Sequence, residues 1–415
     1  MRKFNNGRIL NNNLGGNRML SLEMIYDAQK VLKDVARMTP LIAAPKIGNN
    51  IYIKSENLQL TGSFKLRGAY YKISCLTEEE KARGVIACSA GNHAQGVALS
   101  ATKNNISSKI CIPAGAPLSK VEATKGYGGD VILVAGVYDD AYAKALALTE
   151  ENGYTFIHPF NDERVIAGQG TIGLEILSQL PDVDAVIVPI GGGGLISGVA
   201  YAIKTLKPSC KVYGVQAEGA PSMLTSRQQH RPVELPSVST IADGIAVKKP
   251  GDLTFELCEK YVDEIATVSD EEIATAILSL AENQKTVAEG AGATTVAAAM
   301  FNKFDIEGKN VVCIVSGGNI DVNTLSRAIT KGLTKTGRIT EITTKLLDKP
   351  GQLINLLQLV SDSGANIISI NHEREDKKSG VNTCIVTMVL ETRNLQHCDE
   401  LLAQLQKAGY ELFNC

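Results

Sequence analysis

The chain has 415 residues, of which 44% are hydrophobic and 21% charged, and its formal net charge is -2. This length predicts two or three domains with ample sequence for a hydrophobic core. The near-neutral charge gives no electrostatic basis for holding a polyanion, so we expect no nucleic-acid partner.

Residues 1–19 are rich in Asn and Gly and lack the apolar core of a signal peptide, which predicts a flexible N-terminal segment. No stretch reaches the roughly 18 apolar residues that a membrane-spanning helix needs, so we expect no membrane partner. The nine cysteines are scattered, odd in number and never spaced as Cys-x-x-Cys. This pattern indicates reduced thiols and a cytoplasmic protein.

From about residue 50 to 330, short apolar runs that end in Gly or Pro alternate with longer segments of helical period. Most of the clearest strand candidates are apolar throughout, as is typical of parallel strands buried on both faces. The sequence therefore predicts a doubly wound α/β fold. These candidates are 85–89, 109–113, 130–134, 185–189, 212–217 and 311–316.

Ligands of such folds bind beyond the carboxyl ends of the strands, so the loops that follow the strands matter most. Four of these loops have distinctive sequences: Ser89-Ala90-Gly91-Asn92-His93, Pro113-Ala114-Gly115-Ala116-Pro117, Gly191-Gly192-Gly193-Gly194-Leu195 and Ser316-Gly317-Gly318-Asn319.

The tetraglycine loop follows a strand and leads into a helix predicted over 196–206. Consecutive glycines leave backbone N–H groups free to converge on an anion at a helix N-terminus, which predicts a phosphate site. A dinucleotide site is less well supported, because position six of G-x-G-x-x-G is Ile196 or Ser197. The structural alternative is a tight strand-to-helix turn.

Lys65 lies between Phe64 and Leu66 at the start of an apolar helix. An ammonium group there is poorly hydrated, which lowers its pKa and allows Schiff-base chemistry. The alternative is a solvated surface lysine, and the local sequence alone does not decide between the two.

Four ordered motifs carry a family resemblance: residues 55–69, residues 89–98, the tetraglycine and residues 316–319. In order and spacing they resemble fold-type II pyridoxal-phosphate enzymes, the tryptophan synthase β-like group, and within it the threonine dehydratases. The resemblance implies two doubly wound parallel-sheet domains within residues 20–331. The smaller, at about 57–158, is inserted into the larger, which comprises 20–56 and 159–331.

The same resemblance implies a cofactor site for pyridoxal 5′-phosphate. Lys65, preceded by Phe64, carries the cofactor as a Schiff base and later removes the substrate α-proton. Asn92 binds the phenolic oxygen and Ser316 faces the pyridine nitrogen. The backbone of Gly191, Gly192, Gly193, Gly194 and Leu195 binds the phosphate.

The resemblance places the substrate carboxylate at Ser89, Ala90, Gly91, Asn92 and His93, with Ser63 assisting. For His93 the alternative is a capping or packing role. Serine racemases use a second serine at the position of Ala90, so we expect poor racemisation. The metal ligands of some relatives lie near Glu218, which we interpret as a solvated loop residue, and we assign no metal.

The implied reaction is β-elimination and deamination of L-threonine to 2-oxobutanoate and ammonia, with L-serine to pyruvate as a side activity. Alternative reactions are serine dehydration or racemisation, β-replacement, and threonine synthesis from a phosphorylated substrate. An amino-acid-binding sensor without catalysis is the non-enzyme alternative, which Lys65, the tetraglycine and Ser316 oppose.

After a linker predicted at 332–337, residues 338–415 follow the order βαββαβ of a ferredoxin-like module. Residues 347–353, 364–368 and 371–374 resemble ACT regulatory domains. The turn before the first helix exposes N–H groups that suit an amino-acid carboxylate. An end product such as isoleucine or valine is the natural effector, and a plain dimerisation module is the alternative. We expect a homodimer or homotetramer.

Overall fold

A computed structural model of the chain describes residues 20–375 and 380–413. The segment predicted to be flexible, 1–19, lies outside the described residues. None of the helices within the described ranges is long and apolar enough to cross a membrane.

The strands are numbered in chain order. They are β1 (Leu41–Ala43), β2 (Ile51–Ser55), β3 (Val85–Cys88), β4 (Ser108–Pro113), β5 (Asp130–Val134), β6 (Thr155–Phe156), β7 (Ala185–Pro189), β8 (Lys211–Ala217), β9 (Glu264–Val268), β10 (Val311–Val315), β11 (Ile339–Leu347), β12 (Asn366–Glu373), β13 (Thr383–Glu391) and β14 (Leu412–Phe413).

The α-helices are numbered in the same way. They are α1 (Leu22–Leu32), α2 (Lys65–Ser74), α3 (Glu78–Arg83), α4 (Asn92–Lys103), α5 (Leu118–Gly126), α6 (Tyr138–Asn152), α7 (Glu163–Gln179), α8 (Gly194–Leu206), α9 (Ser222–Gln228), α10 (Asp252–Tyr261), α11 (Asp270–Gln284), α12 (Gly290–Met300), α13 (Val322–Lys335), α14 (Gln352–Ser363) and α15 (Leu395–Lys407).

Two sheets form the region before residue 331. The larger has six strands in the order β1-β2-β10-β7-β8-β9, in which only the β1–β2 pair is antiparallel. The smaller has four parallel strands in the order β5-β4-β3-β6. Every residue of β7 and β10 is buried, as expected for strands covered on both faces. The predicted α/β fold with parallel sheets is confirmed.

Close helix packing sets the position of α2, which begins at Lys65. A Cβ atom added at Gly168 of α7 would lie 2.6 Å from the Cα of Gly68. A Cβ atom added at Gly96 of α4 would lie 3.1 Å from the carbonyl carbon of Lys65. Glycine at these positions lets α4 and α7 approach the backbone of α2 closely, which restrains the start of this helix.

A buried ionic cluster lies under the same helix. The Arg67 guanidinium donates to Glu56 Oε2 at 2.8 Å and to Glu175 Oε1 at 2.6 Å. Lys54 Nζ donates to Glu175 Oε2 at 2.5 Å. The two positive charges of this cluster neutralise its two carboxylates, in a buried region where an unpaired charge would be strongly destabilising.

The C-terminal module forms a four-stranded antiparallel sheet in the order β12-β13-β11-β14. With α14 and α15 this gives the predicted βαββαβ order. Its core is formed by apolar residues of β11, β13 and the two helices.

The structure differs from the linker predicted over 332–337. Helix α13 continues to Lys335, because Gly332 lies in close contact with α11, where an added Cβ would be 3.0 Å from Ala274 O. The turn between the two regions is formed by Thr336 and by Gly337, which has a φ of 65°.

Candidate active site

Lys65 is the first residue of α2, and its side chain is partly buried. Its Nζ donates to Pro159 O at 2.9 Å and lies 5.3 Å from the centroid of the Phe64 ring. Burial lowers the pKa of this amine to about 8, against the opposing effect of the Glu289 charge. A neutral amine is therefore accessible near neutral pH, as a nucleophile or base requires.

The tetraglycine loop follows β7 and forms the start of α8. Gly193 has a φ of 95° and occupies the N-cap position without a side-chain cap. A Cβ atom added at Gly192 would lie 2.4 Å from the ring of Phe160, and one added at Gly194 would lie 2.9 Å from the Phe160 Cα. Because the first turn of a helix leaves N–H groups without intrahelical partners, the loop presents donors to an anion.

The segment 158–160 connects Lys65 with this loop. Pro159 accepts the hydrogen bond of Lys65 Nζ, and the next residue, Phe160, packs against Gly192 and Gly194. His158 Nδ1 accepts from the backbone N–H of Phe160 at 3.2 Å. The sequence analysis did not single out these residues.

The loop at 316–319 lies directly beside the Lys65 segment. Phe64 N–H donates to Ser316 O at 3.1 Å, and Gly318 N–H donates to Gly62 O at 2.9 Å. Ser63 pairs with Gly317 as an isolated antiparallel bridge. The Ser316 side chain is thereby held in a buried position close to the start of α2.

Asn92 is the first residue of α4, and both the nitrogen and the oxygen of its side-chain amide make hydrogen bonds. Its Nδ2 donates to Glu289 Oε1 at 2.8 Å and to Oε2 at 3.0 Å, while its Oδ1 accepts from Asn319 Nδ2 at 2.8 Å. The loops that carry Asn92 and Asn319 are thus joined by a direct hydrogen bond.

Glu289 is a site residue that the sequence analysis missed. It is buried, and burial raises the pKa of its carboxyl to about 7, although the hydrogen bond from Asn92 acts in the opposite direction. The sequence feature that could have indicated Glu289 is a single carboxylate directly before the small residues 290–293, at the start of a helix. A carboxyl group with such a pKa is typical of functional sites.

In the 89–93 loop, Ser89 Oγ accepts from Gly91 N–H at 3.1 Å. Ala90 is partly buried, and a Cβ atom added at Gly91 would meet no atom within 4 Å. His93 differs from its neighbours: it is buried, its Nε2 hydrogen-bonds Ile157 O at 2.8 Å, and burial lowers the pKa of its imidazole to about 3. These contacts agree with the alternative role for the His93 side chain, in which it packs within the protein and does not bind the substrate.

Of the four predicted loops, the one at 316–319 bonds residues 62–64 directly, beside Lys65. The loop at 89–93 is joined to it through Asn319, and the loop at 191–195 is connected to Lys65 through Phe160 and Pro159. Within the described residues no hydrogen bond joins the loop 113–117 to them. Leu195 is buried in the core beside the glycines. Ser63 Oγ is buried and has no hydrogen-bond partner among the described residues, so it is available to a ligand.

These features fit pyridoxal phosphate. The glycine loop suits a phosphate group, the poorly hydrated Lys65 amine suits an aldehyde, and the unpartnered Ser63 hydroxyl leaves a donor for a bound molecule. An added Cβ at Gly192 or Gly194 would displace Phe160, so only glycine at these positions lets the loop pack against Phe160 in this conformation.

Comparison with known proteins agrees with this geometry. Residues 32–317 match the model of the family described as pyridoxal-phosphate dependent enzyme. An L-threonine ammonia-lyase of Thermotoga maritima is 52% identical over 95% of this chain and 99% of its own length. One of Geobacter sulfurreducens is 45% identical over 94% of this chain and 98% of its own length.

Among solved structures, the processed form of threonine deaminase isoform 2 from Solanum lycopersicum aligns with a TM-score of 0.71. It is 39% identical, and the alignment covers 78% of this chain and 93% of that one. The matched residues include Lys65, Asn92, the tetraglycine and Ser316. The chain therefore belongs to the pyridoxal-phosphate-dependent enzymes, in the threonine ammonia-lyase family.

Proposed function

We propose that the chain converts L-threonine to 2-oxobutanoate and ammonia by β-elimination, with L-serine to pyruvate as a side activity. The main support for this proposal is the amine of Lys65, whose pKa is lowered by burial. This amine donates a hydrogen bond to Pro159 O, and the next residue, Phe160, packs against the glycine loop. The names of relatives that are 52% and 45% identical over nearly the whole chain support it.

The residues that would hold the cofactor are those of the three converging loops. Lys65 and Phe64 lie at one end, and the N–H groups from Gly191 to Leu195 would take the phosphate. Asn92 would donate to the phenolic oxygen, and Ser316 would lie at the pyridine nitrogen. Pyridoxal phosphate, when bound, supplies an electron-withdrawing group that stabilises negative charge at the substrate α-carbon.

Lys65 Nζ is the group that would accept the substrate α-proton. Its partly buried position keeps the amine poorly hydrated, and its lowered pKa leaves an accessible neutral form. Ser316 offers a hydroxyl, not a carboxylate, to the pyridine nitrogen. A hydroxyl stabilises a protonated ring poorly, which favours loss of the β-hydroxyl over longer-lived carbanion chemistry such as transamination.

The substrate carboxylate would bind at the N-terminus of α4, where Gly91 is the N-cap residue and has no side-chain cap. The N–H groups there, with the Ser89 and Ser63 hydroxyls, suit a carboxylate. His93 would contribute its backbone N–H, since its side chain is committed to Ile157 O. Ala90 offers no acid or base to the opposite face of the substrate, which supports elimination over racemisation.

For the C-terminal module we propose an ACT-like regulatory role with an amino-acid effector such as isoleucine or valine. The turn that ends at Gly351 precedes α14 and has no side-chain cap. Lys349 and Gln352 already donate their N–H groups within this turn, so the N–H groups of Leu353 and Ile354, in the first turn of α14, are the ones that suit a carboxylate. Edge strand β12 exposes Ile368 and Ile370. An exposed apolar edge favours pairing with a second copy, and so supports a homodimer or homotetramer.

The test is the visible spectrum of the purified protein, with 2-oxobutanoate release from L-threonine measured with and without isoleucine. Lys65→Ala should lose the lysine-dependent cofactor band and product formation. Lys103→Ala, at the exposed end of α4, is the matched control and should retain both.

A band without product would contradict the proposed reaction while leaving the cofactor in place. Absence of a band would contradict the cofactor site itself. If neither isoleucine nor valine alters the rate, the proposed effectors of the module are wrong, whereas the catalytic proposal is unaffected.

A further inference from the structure

Three potential metal ligands converge in the C-terminal module, away from Lys65. They are Asp348, His372 and Cys384, and their ligand atoms all lie within 4.8 Å of one another. Asp348 follows β11, His372 is in β12 and Cys384 is in β13, so three separate segments contribute one group each.

The strand register explains why these side chains meet. Cys384 is paired with Leu346, two residues before Asp348, and His372 is paired with Val386, two residues after Cys384. Because side chains alternate across a strand and paired residues share a face, the ligands lie on one side of the sheet. Asp348 N–H donates to Asn382 O at 2.9 Å, which holds the turn beside β13.

The chemistry of the set selects a class of ion. A thiolate and an imidazole are soft or borderline ligands, which favour Zn²⁺ and similar divalent transition metals, whereas Mg²⁺ and Ca²⁺ prefer oxygen ligands. Three protein ligands leave a fourth tetrahedral position for water or another donor.

The geometry needs only small side-chain movements. Ligands at ~2.0–2.3 Å from a tetrahedral zinc ion lie roughly 3.3–3.7 Å apart, and the three ligand atoms here all lie within 4.8 Å of one another. Cys384 is 2% exposed and anchored in the module core, with its Sγ 3.7 Å from Leu346 O. His372 is exposed and can rotate toward it.

Arg374 opposes a cation at this place. Its Nε lies 3.1 Å from Asp348 Oδ1, and its side chain is 68% exposed. A bound divalent ion would have to compete with the guanidinium for Asp348. Because that side chain is largely exposed, its charge would stay hydrated if the ion displaced it from Asp348.

We propose that Asp348, His372 and Cys384 form a binding site for a divalent transition metal of the zinc class, which ties the turn after β11 to strands β12 and β13. This extends the sequence analysis, which assigned no metal and interpreted the cysteines only as reduced thiols. The site would lie beside the turn proposed for the effector carboxylate, but it does not depend on the catalytic proposal.

Co²⁺ titration of the reduced, chelator-treated full-length protein tests the site. Difference spectra against the metal-free protein should show a thiolate-to-cobalt charge-transfer band that saturates at one ion per chain. Cys384→Ser should abolish the band. Loss of an outer-shell partner typically costs about 10–100-fold in metal affinity, so His372→Gln should weaken binding at least that much. Arg374→Gln should strengthen binding.

Two variants control for general effects. Cys398→Ala removes another cysteine of the same module, and His230→Gln removes an exposed histidine of the catalytic region. Both should leave the titration unchanged. If the wild-type protein shows no charge-transfer band, or if the band survives in Cys384→Ser, the proposal is overturned.

Discussion

The catalytic region and the C-terminal module place their polar groups in different parts of a sheet. Strands β7 and β10 of the catalytic region are buried along their whole length. In the module, β11 alternates between buried and more accessible residues, and seven of the eight residues of β12 are exposed. One sheet is covered on both faces, and the other has a covered face and an open edge.

This difference determines where function can arise. A strand buried on both faces has no room for a polar ligand, so the chemistry of the catalytic region gathers in the loops beyond the strand ends. In the module, side chains on the sheet itself can reach a ligand, as the cluster of Asp348, His372 and Cys384 indicates. Substitution of the buried groups in each region tests how strongly its arrangement depends on them.

The largest expected effect comes from the buried ionic cluster under α2. Arg67 is 1% exposed, and Arg67→Met would leave the fully buried Glu56 without its cation. Removing one partner of a buried pair costs about 3–5 kcal/mol, so the free energy of unfolding should fall by that amount. Urea denaturation followed by circular dichroism measures the change.

The control is an exposed ion pair that joins the two regions, Arg338 with Glu282, whose side chains are 41% and 43% exposed. Arg338→Ala should cost no more than about 1 kcal/mol, because exposed pairs are weak. Equal effects of the two substitutions would contradict a special role for the buried cluster.

The next largest effect is expected from a substitution in the tetraglycine loop, and it should be confined to that loop. Gly192→Ala places a Cβ atom 2.4 Å from the Phe160 ring, and overpacking of this kind costs up to about 3 kcal/mol. If the strain displaces the loop, cofactor affinity should fall by roughly 100-fold. Titration of cofactor-depleted protein with pyridoxal phosphate, followed by the visible band, measures this affinity.

Gly115→Ala is the matched control for this substitution, since an added Cβ there meets no atom within 4 Å. It should leave cofactor affinity unchanged. If Gly192→Ala binds the cofactor as tightly as the control, the glycine loop is not the phosphate site.

Six of the ten strands described in the catalytic region were predicted, most of them because burial on both faces produces continuous apolar runs; β5 is the exception, since none of its residues is fully buried. All six predicted strands are present, each with ends within one residue of the prediction. Strands β1, β2, β6 and β9 were not predicted. In β2 the apolar run is interrupted by the buried Lys54, whose Nζ donates to Thr39 O, to Gln179 and to the carboxylate of Glu175. That partner comes from a helix far along the chain and leaves no local pattern.

The same reason explains the missed site residues. Asn92 and Glu289 are 197 residues apart, and Lys65 and Pro159 are 94 apart. Motif spacing located the loops, but not the long-range partners that orient their side chains. The linker was wrongly extended over 332–335 because a glycine that usually ends a helix here serves its packing against α11.

The smallest predicted effect concerns the proton held by Glu289. Burial raises the pKa of this carboxyl from 4.5 to about 7, so between these pH values the folded protein holds a proton that the unfolded chain has lost. Stability from this group is therefore present at low pH and falls as the pH rises through 7. Glu289→Gln cannot ionise and should lack this loss.

From pH 5 to pH 8, the free energy of unfolding of the wild type should fall by about 2 kcal/mol relative to Glu289→Gln, since one pKa unit corresponds to about 1.4 kcal/mol. Urea denaturation at several pH values measures the difference, in which the titrating groups that do not interact with Glu289 cancel. Glu122→Gln, which changes an exposed carboxylate of α5, should run parallel to the wild type. A parallel course for Glu289→Gln as well would show that the Asn92–Glu289 contact is made by a carboxylate that is ionised throughout, and that its charge is compensated within the site.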